Sequence, residues 1–163
     1  MSEFASMAQS RVEEQLWEHA SKGHLGSGLQ LGGGDLFPIL QYREELEKQE
    51  LFGKRAMLEV VATGALWLKA RRHAAYPAEE LSDLCPRCGR APQTEAHAFW
   101  TCSALGQSTL PEVTDSQYLK DEAERGLNLN PRLPQKSAEC LWLRGILPRD
   151  VVPVPEVGDD EGI

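Results

Sequence analysis

The sequence predicts a small, mainly α-helical domain organised around one cluster of cysteine and histidine residues. Apolar residues recur at helical spacing in several segments, and glycine or proline separates these segments from one another. A length of 163 residues is typical of one domain with a modest core. Three of the four cysteines and one of the four histidines lie between Cys85 and Cys102, and this clustering predicts a metal site.

The cluster has the spacing C-x2-C-x8-H-x4-C and consists of Cys85, Cys88, His97 and Cys102. Two thiolates separated by two residues can bind one ion from a tight turn whose backbone amides point toward the sulfur atoms. Gly89 permits the positive φ that such a turn often requires. Three thiolates and one imidazole favour Zn²⁺ in a closed tetrahedral site. Because no coordination position remains for water, we predict a structural role.

Two alternatives to a metal site remain for these cysteines. The C-x2-C pair could form a disulfide, or the thiols could pack as small apolar side chains. The N-terminal residues lack the basic and apolar regions of a secretory signal, and the longest apolar run, 60–68, is too short to span a membrane. We therefore expect an intracellular protein, nuclear or cytoplasmic, whose thiols stay reduced.

Four segments are expected along the chain. The first is an N-terminal helical segment with a glycine-rich connector, and the second is a helix followed by the zinc-knuckle module. A C-terminal helical segment and a disordered acidic tail complete the chain. The expected boundaries of the four segments are 1–50, 51–105, 106–150 and 151–163.

In the N-terminal segment, a capping-box spacing that starts at Ser10 predicts a helix ending near Ser21. The stretch 26–34 is rich in glycine but lacks the Gly-Lys-Ser/Thr ending of a phosphate-binding loop. We therefore interpret it as a flexible connector. Asp35 is expected to cap a second helix, which has an acidic, solvated face and reaches about Glu50.

The middle segment is predicted to begin with a long helix, Lys54–His73. Gly64 lies inside it and predicts a kink or a close helix contact, because glycine costs about 1 kcal/mol relative to alanine in a helix. Thr94 is expected to cap a short helix at the metal site, with Cys102 where that helix ends. The core stripe of the long helix is expected at Met57, Val61, Ala65 (or Gly64) and Leu68.

The C-terminal segment is predicted to hold two short helices. The first opens at the capping-box sequence Thr114–Gln117 and ends at Gly126. The second, Ser137–Arg144, is apolar enough to dock on the core. Within it, Cys140 is expected as a packed core residue and not as a ligand.

The formal net charge of −8 is unevenly distributed. Residues 51–102 carry seven Lys and Arg against five Asp and Glu, whereas the flanking segments are acidic. Proteins that bind nucleic acid through phosphate contacts concentrate much more positive charge, so any such contact must be local. The basic cluster Lys69, Arg71, Arg72 and His73 is equally well explained as cations at a helix C-terminus.

The stretch from Lys54 to Cys102 resembles the C-terminal zinc-knuckle region of non-LTR retrotransposon reverse transcriptase polyproteins. The C-x2-C-x8-H-x4-C (CCHC) spacing is typical of that family, as is the Ala-Thr-Gly-Ala-Leu-Trp sequence at 62–67 with arginines nearby. The sequence at 139–145 is also similar to a segment that follows the knuckle in such polyproteins. No Tyr/Phe-x-Asp-Asp polymerase motif occurs. The resemblance therefore implies a detached remnant without polymerase activity.

In these relatives the zinc region helps to hold the RNA template or the target DNA. The resemblance therefore implies a non-catalytic, zinc-binding module that contacts RNA or DNA, with no membrane partner and no small-molecule substrate. Phe99 or Trp100 would be available for base stacking. The basic residues expected at the contact are Lys69, Arg71, Arg72, Arg87 and Arg90.

A protein-interaction module is the main alternative function. In it, the zinc turn shapes a surface and the acidic flanks bind a basic partner protein. An enzyme is a weaker alternative, because zinc deaminases with a C-x2-C pair need an upstream His-x-Glu, whereas His73 is followed by two alanines. We therefore predict no catalytic residues and no enzyme activity.

Overall fold

The computed structural model describes four stretches of the chain, residues 3–30, 32–79, 81–127 and 138–149. Over these residues the fold is mainly helical, as predicted, with one small two-stranded sheet. The predicted disordered tail, 151–163, lies outside the described residues. None of the described helices has both the length and the apolar composition needed to cross a membrane.

Seven α-helices and two short strands follow one another along the described chain. The helices are α1 (Glu3–Ser21), α2 (Phe37–Lys48), α3 (Phe52–Ala62), α4 (Lys69–Ala75), α5 (Pro111–Thr114), α6 (Lys120–Gly126) and α7 (Glu139–Arg144). The strands β1 (Gly34–Asp35) and β2 (Leu147–Pro148) pair in antiparallel fashion. A π-helical turn spans His97–Thr101, and 3₁₀ turns lie at Pro77–Glu79, Leu105–Gln107 and Gln117–Leu119.

Helix α1 begins at Glu3 and not at Ser10, so the expected capping box lies inside the helix. The residues before Ser10 include alanine, methionine and glutamine, whose high helix propensity explains why the helix continues through them. The side chains from Ala5 to Leu16 are all exposed. Near its end, α1 packs on the first cluster of buried residues through Trp17 and Ala20.

The glycine-rich stretch after α1 packs into the core and is not the flexible connector that its composition suggested. Leu29 is only 1% exposed and lies in a cluster with Cys140 and Ile146. A Cβ at Gly28 would lie 2.7 Å from the Cys140 Sγ, so only glycine lets this backbone approach α7 so closely. The glycines in this stretch therefore allow close packing.

Helices α2 and α3 are joined by an ion-pair network. The Arg43 Nε lies 2.7 Å from the Glu59 Oε1, and the Arg55 Nη1 lies 3.4 Å from the Glu47 Oε1. Before α2, the Asp35 Oδ1 accepts a hydrogen bond from the Phe37 N–H at 2.9 Å, but the N-cap residue of α2 is Leu36, so Asp35 lies one residue earlier than its predicted capping position. Both helices are therefore held by charge as well as by packing.

The predicted long helix is in fact two helices, α3 and α4, which are separated at Gly64. Gly64 has a φ of 68°. Its N–H donates to the Val61 carbonyl, and the Ala65 N–H donates to the Val60 carbonyl, both at 3.0 Å. This is a Schellman motif, which ends a helix where a glycine adopts the left-handed conformation.

The core stripe expected along the long helix does not form. Met57 is 56% exposed, and none of the 11 residues of α3, all of which are described, is fully buried. Because the helix ends before Gly64, residues on either side of the break no longer share one face. The Nε of Arg144 in α7 donates a hydrogen bond to the Ala62 carbonyl at 2.8 Å, so α7 covers the end of α3.

The stretch 111–126 holds two α-helices and a 3₁₀ turn where the sequence predicted one helix. Thr114 ends α5 and does not cap the next helix. Helix α6 does end at Gly126, as expected. A Cβ at Gly126 would overlap the Trp142 indole, so the glycine is needed for α6 to approach α7.

Helix α7 links two clusters of buried residues. Cys140 is fully buried in the first cluster, with Leu29 and Ile146, which confirms its predicted place in the core. The Trp142 ring lies edge-on to Trp100 with 5.7 Å between ring centroids, and the Trp100 Nε1–H donates to the Trp142 carbonyl at 2.8 Å. Trp100 lies in the π-helical turn, two residues before Cys102, which is buried in the second cluster with Cys85 and Leu105.

Candidate metal centre

The first two clustered cysteines lie in a tight turn that closes a short hairpin. Leu84 and Pro92 form an antiparallel bridge, and the Cys85 N–H donates to the Ala91 carbonyl at 2.8 Å. At the tip, the Gly89 N–H donates to the Cys85 carbonyl at 2.7 Å, and Gly89 has a φ of 66°. Other residues would be strained in this conformation, so the glycine after C-x2-C serves the turn as predicted.

The same turn directs backbone amides at both sulfur atoms. Burial raises the pKa of the Cys85 thiol, but hydrogen bonds from the N–H groups of Cys88 and Arg87 outweigh burial and lower this pKa below its ordinary value. The N–H of Arg90 is the main cause that lowers the pKa of Cys88. Donated N–H groups stabilise the thiolate, which is the form that binds a metal.

The other two potential ligands come from the π-helical turn. The Thr94 Oγ1 accepts a hydrogen bond from the His97 N–H at 3.1 Å, so Thr94 caps the helical residues 95–96 that lead into this turn, as predicted. The Cys102 N–H donates to the His97 carbonyl at 2.9 Å, and this bond across five residues defines the π-helix. The x4 spacing therefore equals one π-turn, which brings both side chains to the same side of the backbone.

The four donor atoms converge on one point and lie within 4.8 Å of one another. The Sγ atoms of Cys85 and Cys102 are 3.9 Å apart, and the Cys88 Sγ lies 3.3 Å from the His97 Nε2. Tetrahedral zinc bonds of about 2.3 Å to sulfur and about 2.05 Å to nitrogen separate two sulfurs by about 3.8 Å and a sulfur and a nitrogen by about 3.6 Å. The chain thus forms a Cys₃His cluster that could hold one metal ion.

The surroundings of the cluster suit a closed site. Cys85 is 1% exposed and Cys102 is 4% exposed. The His97 Nδ1 lies 3.4 Å from the Thr101 Oγ1, which leaves its Nε2 to face the sulfur atoms. An outer contact of this kind helps to orient a metal-binding imidazole. Burial raises the pKa of Cys102, so its thiolate depends most on the positive charge of an ion.

Neither alternative interpretation of the cysteines describes this cluster. All four cysteines of the chain are free thiols, so the C-x2-C pair is not a disulfide. Simple apolar packing describes Cys140, which belongs to the other buried cluster. The remaining three thiols face one another and the ring nitrogen of His97.

The basic residues expected at a nucleic-acid contact fall into two groups. The Arg71 Nη1 donates to the carbonyls of Gly64 and Leu66 at 2.8 and 3.2 Å. The Arg87 Nη1 donates to the Ala98 carbonyl at 3.0 Å. The guanidinium groups of these two arginines therefore bind backbone carbonyls of the same chain. Within the described stretches, the basic side chains of this set that form no hydrogen bond or ion pair are Lys69, Arg72 and Arg90.

Helix α4 is attached to the knuckle through Gln93, which the sequence analysis did not single out. The Gln93 Oε1 accepts the Lys69 N–H at 3.3 Å, and its backbone carbonyl accepts the Ala70 N–H at 3.4 Å. Gln93 in turn donates its N–H to the Asp83 carbonyl at 2.8 Å, within the hairpin that carries Cys85. The hairpin that carries Cys85 therefore positions the start of α4.

A buried carboxylate beside the centre was also missed. Glu95 is 8% exposed, and its Oε1 lies 3.4 Å from the Nε2 of His24. His24, expected at the surface and not as a ligand, lies outside the metal cluster. Acidic residues are rarely buried, so residue type does not predict this position. The sequence signal that points to Glu95 is its place next to the cap residue Thr94 and close to His97.

No known protein family, curated protein or solved structure matches this chain. The assignment of a metal centre therefore depends on the donor chemistry and geometry of the cluster itself.

Proposed function

We propose that the ion bound by the Cys₃His cluster is Zn²⁺ and that its role is structural. The convergence of three thiol groups and one imidazole nitrogen supports this, because this donor set suits zinc and leaves no open coordination position. When bound, zinc would supply a cross-link between the hairpin and the π-helical turn. The residues that would hold it are Cys85, Cys88, His97 and Cys102.

Mass spectrometry of the intact native protein tests the zinc assignment. We expect one zinc ion per chain in the wild type and its loss in Cys88→Ser, because a tetrahedral site needs all four ligands. Cys140→Ala is the matched control, since it removes a buried thiol from the other cluster, and we expect it to keep its zinc. A metal-free wild type, or full zinc content in Cys88→Ser, would contradict the assignment.

We also propose that this chain is a non-catalytic module derived from a retrotransposon polyprotein and that it contacts RNA or DNA. The CCHC spacing supports this proposal because its four donors meet in one cluster. The side chains of Lys69, Arg72 and Arg90, which form no ion pair with the residues that the structure describes, support it further. Two of them lie on α4, which is attached to the knuckle hairpin. A local contact of this size suits a chain with a net charge of −8.

The salt dependence of nucleic-acid binding tests the proposed contact with RNA or DNA. Fluorescence anisotropy with labelled oligonucleotides should show binding at low salt that weakens steeply as salt is added. We expect Arg72→Ala to weaken binding and to reduce the slope of log K against log salt by about 0.7 for a single strand. Arg11→Ala, on the exposed part of α1, is the control. A wild type that binds no oligonucleotide even at low salt would refute the proposal.

A protein-interaction module is the second candidate, and the charge distribution favours it. The flanks 1–50 and 103–163 are acidic, and the α2–α3 pair exposes large apolar side chains, among them Phe37 at 69% and Phe52 at 57%. Acidic flanks and apolar side chains suit a basic protein partner. Recovery of specific proteins from a nuclease-treated lysate, with no retained nucleic acid, would favour this candidate over the first.

A further inference from the structure

A pair of exposed aromatic residues lies beside the basic helix α4. Trp67 precedes α4 and Tyr76 follows it, and their rings are stacked with centroids 6.3 Å apart and planes at 30° to each other. Each side chain is 51% exposed. Single exposed aromatic residues are common, but two stacked rings form a contiguous apolar surface, and such surfaces mark binding sites.

The contacts of α4 hold these two rings in place. The Arg71 guanidinium lies over the Trp67 ring, 5.1 Å from its centroid, while the same guanidinium bonds the loop that precedes α4. The Tyr76 N–H donates to the Arg72 carbonyl at 3.0 Å, which fixes Tyr76 at the end of the helix. An aromatic surface that is already ordered loses little conformational entropy when it binds a ligand.

The helix between the two aromatic residues carries basic side chains that suit an anionic ligand. Lys69 and Arg72 belong to the same helix and form no ion pair within the described part of the chain. Residues 51–102 are also the segment in which basic residues outnumber acidic ones. Aromatic faces next to cations are the combination by which proteins bind single-stranded nucleic acid, since bases stack and phosphates pair with the cations. Trp100, one of the two stacking residues expected from the sequence, instead packs edge-on against Trp142 and donates its Nε1–H to the Trp142 carbonyl.

We infer that Trp67 and Tyr76 form a stacking platform for unpaired nucleobases, while Lys69 and Arg72 contact the phosphates of the same single strand. This inference rests on the proposed nucleic-acid function and adds the form of the strand and the residues that bind its bases. The bases of a duplex are already stacked on one another and offer no free face to the platform. Gln93 connects the platform to the metal centre, because it bonds the first turn of α4.

Binding of the zinc-loaded full chain to labelled oligothymidylate, and to a duplex of the same length, tests the platform. We expect the wild type to bind the single strand more tightly than the duplex. Tyr76→Ala should lose about fivefold or more in single-strand affinity with an unchanged salt slope, because it removes a stacking face and no charge. Tyr118→Ala is the matched control, since Tyr118 is 80% exposed but lies in the acidic C-terminal part.

Quenching of tryptophan fluorescence by the oligonucleotide gives a second measurement that needs no truncation of a side chain. Quenching is expected in the wild type and in Tyr118→Ala, and it should be largely lost in Trp67→Phe, which keeps an aromatic ring at that position. Circular dichroism of each variant should match the wild type. Loss of the fluorescence response in a folded Trp67→Phe variant would therefore assign base contact to this ring.

Three results would overturn the inference, and they differ in whether the proposed nucleic-acid function is retained. Unchanged single-strand affinity in Tyr76→Ala together with weaker binding in Arg72→Ala would remove the platform and leave the proposed nucleic-acid function. No binding of either probe at low salt would remove the proposed function and the platform with it. Binding of a polyglutamate chain as tight as that of oligothymidylate, and equally dependent on Tyr76, would assign the surface to an acidic protein partner.

Discussion

The two clusters of buried residues in this chain are held together by different kinds of contact. Around Leu29, Cys140 and Ile146, apolar side chains meet a backbone that approaches closely because Gly28 has no Cβ. Around Cys85, the buried residues include the potential ligands themselves, and their polar atoms face one another. The first cluster closes by packing, whereas the second gathers four donor atoms that one ion could link. A short chain thus obtains a second ordered region without a second large apolar core.

Removal of the ion should have the largest effect, and it should act on only one of the two clusters. Metal binding and folding share one free energy in small zinc sites, of the order of 10 kcal/mol, so we expect a chelator to unfold the hairpin and the π-helical turn. Hydrogen exchange followed by mass spectrometry should show lost protection over residues 84–102 and retained protection around Leu29 and α7. Added zinc should restore the protection. Equal loss in both clusters, or none in either, would show that they do not differ in this way.

Substitution of Gly28 should have the next largest effect, and it should act on the other cluster. In Gly28→Ala the new Cβ would lie 2.7 Å from the Cys140 Sγ, at a φ of 106°, so crowding and backbone strain should cost about 2 to 4 kcal/mol. Urea unfolding measures this loss, and the zinc content should not change. Gly53→Ala is the control, because a Cβ there meets nothing within 4 Å. Equal stability of the two variants would contradict the packing role of Gly28.

Loss of the Arg144 side chain should produce a smaller effect. Arg144→Met keeps much of the side-chain volume but removes the hydrogen bond to the Ala62 carbonyl, and we expect a loss of about 1 to 2 kcal/mol. Thermal unfolding with zinc bound measures it. Arg11→Met serves as the control for the loss of one positive charge. A Tm equal to that of Arg11→Met would show that the end of α3 does not depend on this bond.

Alkaline pH should give the smallest effect, with opposite signs in the two clusters. Burial raises the pKa of Cys140, so above the ordinary thiol pKa of about 8.5 the unfolded chain loses this proton before the fold does. Stability of the zinc-loaded protein should therefore fall slightly as the pH rises past that value, and Cys140→Ala should remove the decline. Urea unfolding over this pH range measures both.

At the knuckle the sign is reversed, because zinc competes with protons for the thiolates and the lowered pKa values of Cys85 and Cys88 favour ionisation. Competition with a chelating dye should show zinc affinity that increases with pH. An affinity that is constant over the range in which these thiols ionise would show that zinc displaces no protons there.

The sequence was most informative where chemistry restricts spacing. The C-x2-C pair, Gly89 and the Thr94 cap all follow from local rules, and the structure brings all four predicted donors together. The features that the sequence did not predict depend on contacts between residues far apart in the chain. Helical periodicity alone could not show that Gly64 would end α3, because the same pattern is compatible with a kinked helix. The ordered packing of the glycine-rich stretch was likewise hidden, since glycine suits both a mobile linker and a close approach to α7.

The buried position of Glu95 and the role of Gln93 could not be inferred from the sequence for a similar reason. Both acquire their partners, His24 and α4, only when segments far apart in the chain meet. Composition also misled at Met57, whose apolar character predicts burial although the side chain is largely exposed. Local patterns thus located the ligands well and the tertiary neighbours poorly.

The π-helical turn between His97 and Cys102 limits how this chain can change in evolution. Deleting or inserting one residue in that interval would rotate Cys102 by about 80° around the axis of the π-helical turn and carry its sulfur away from the other donors. Replacing a residue there leaves the backbone register intact. Homologues of this chain should therefore vary in the identity of these intervening residues but keep their number.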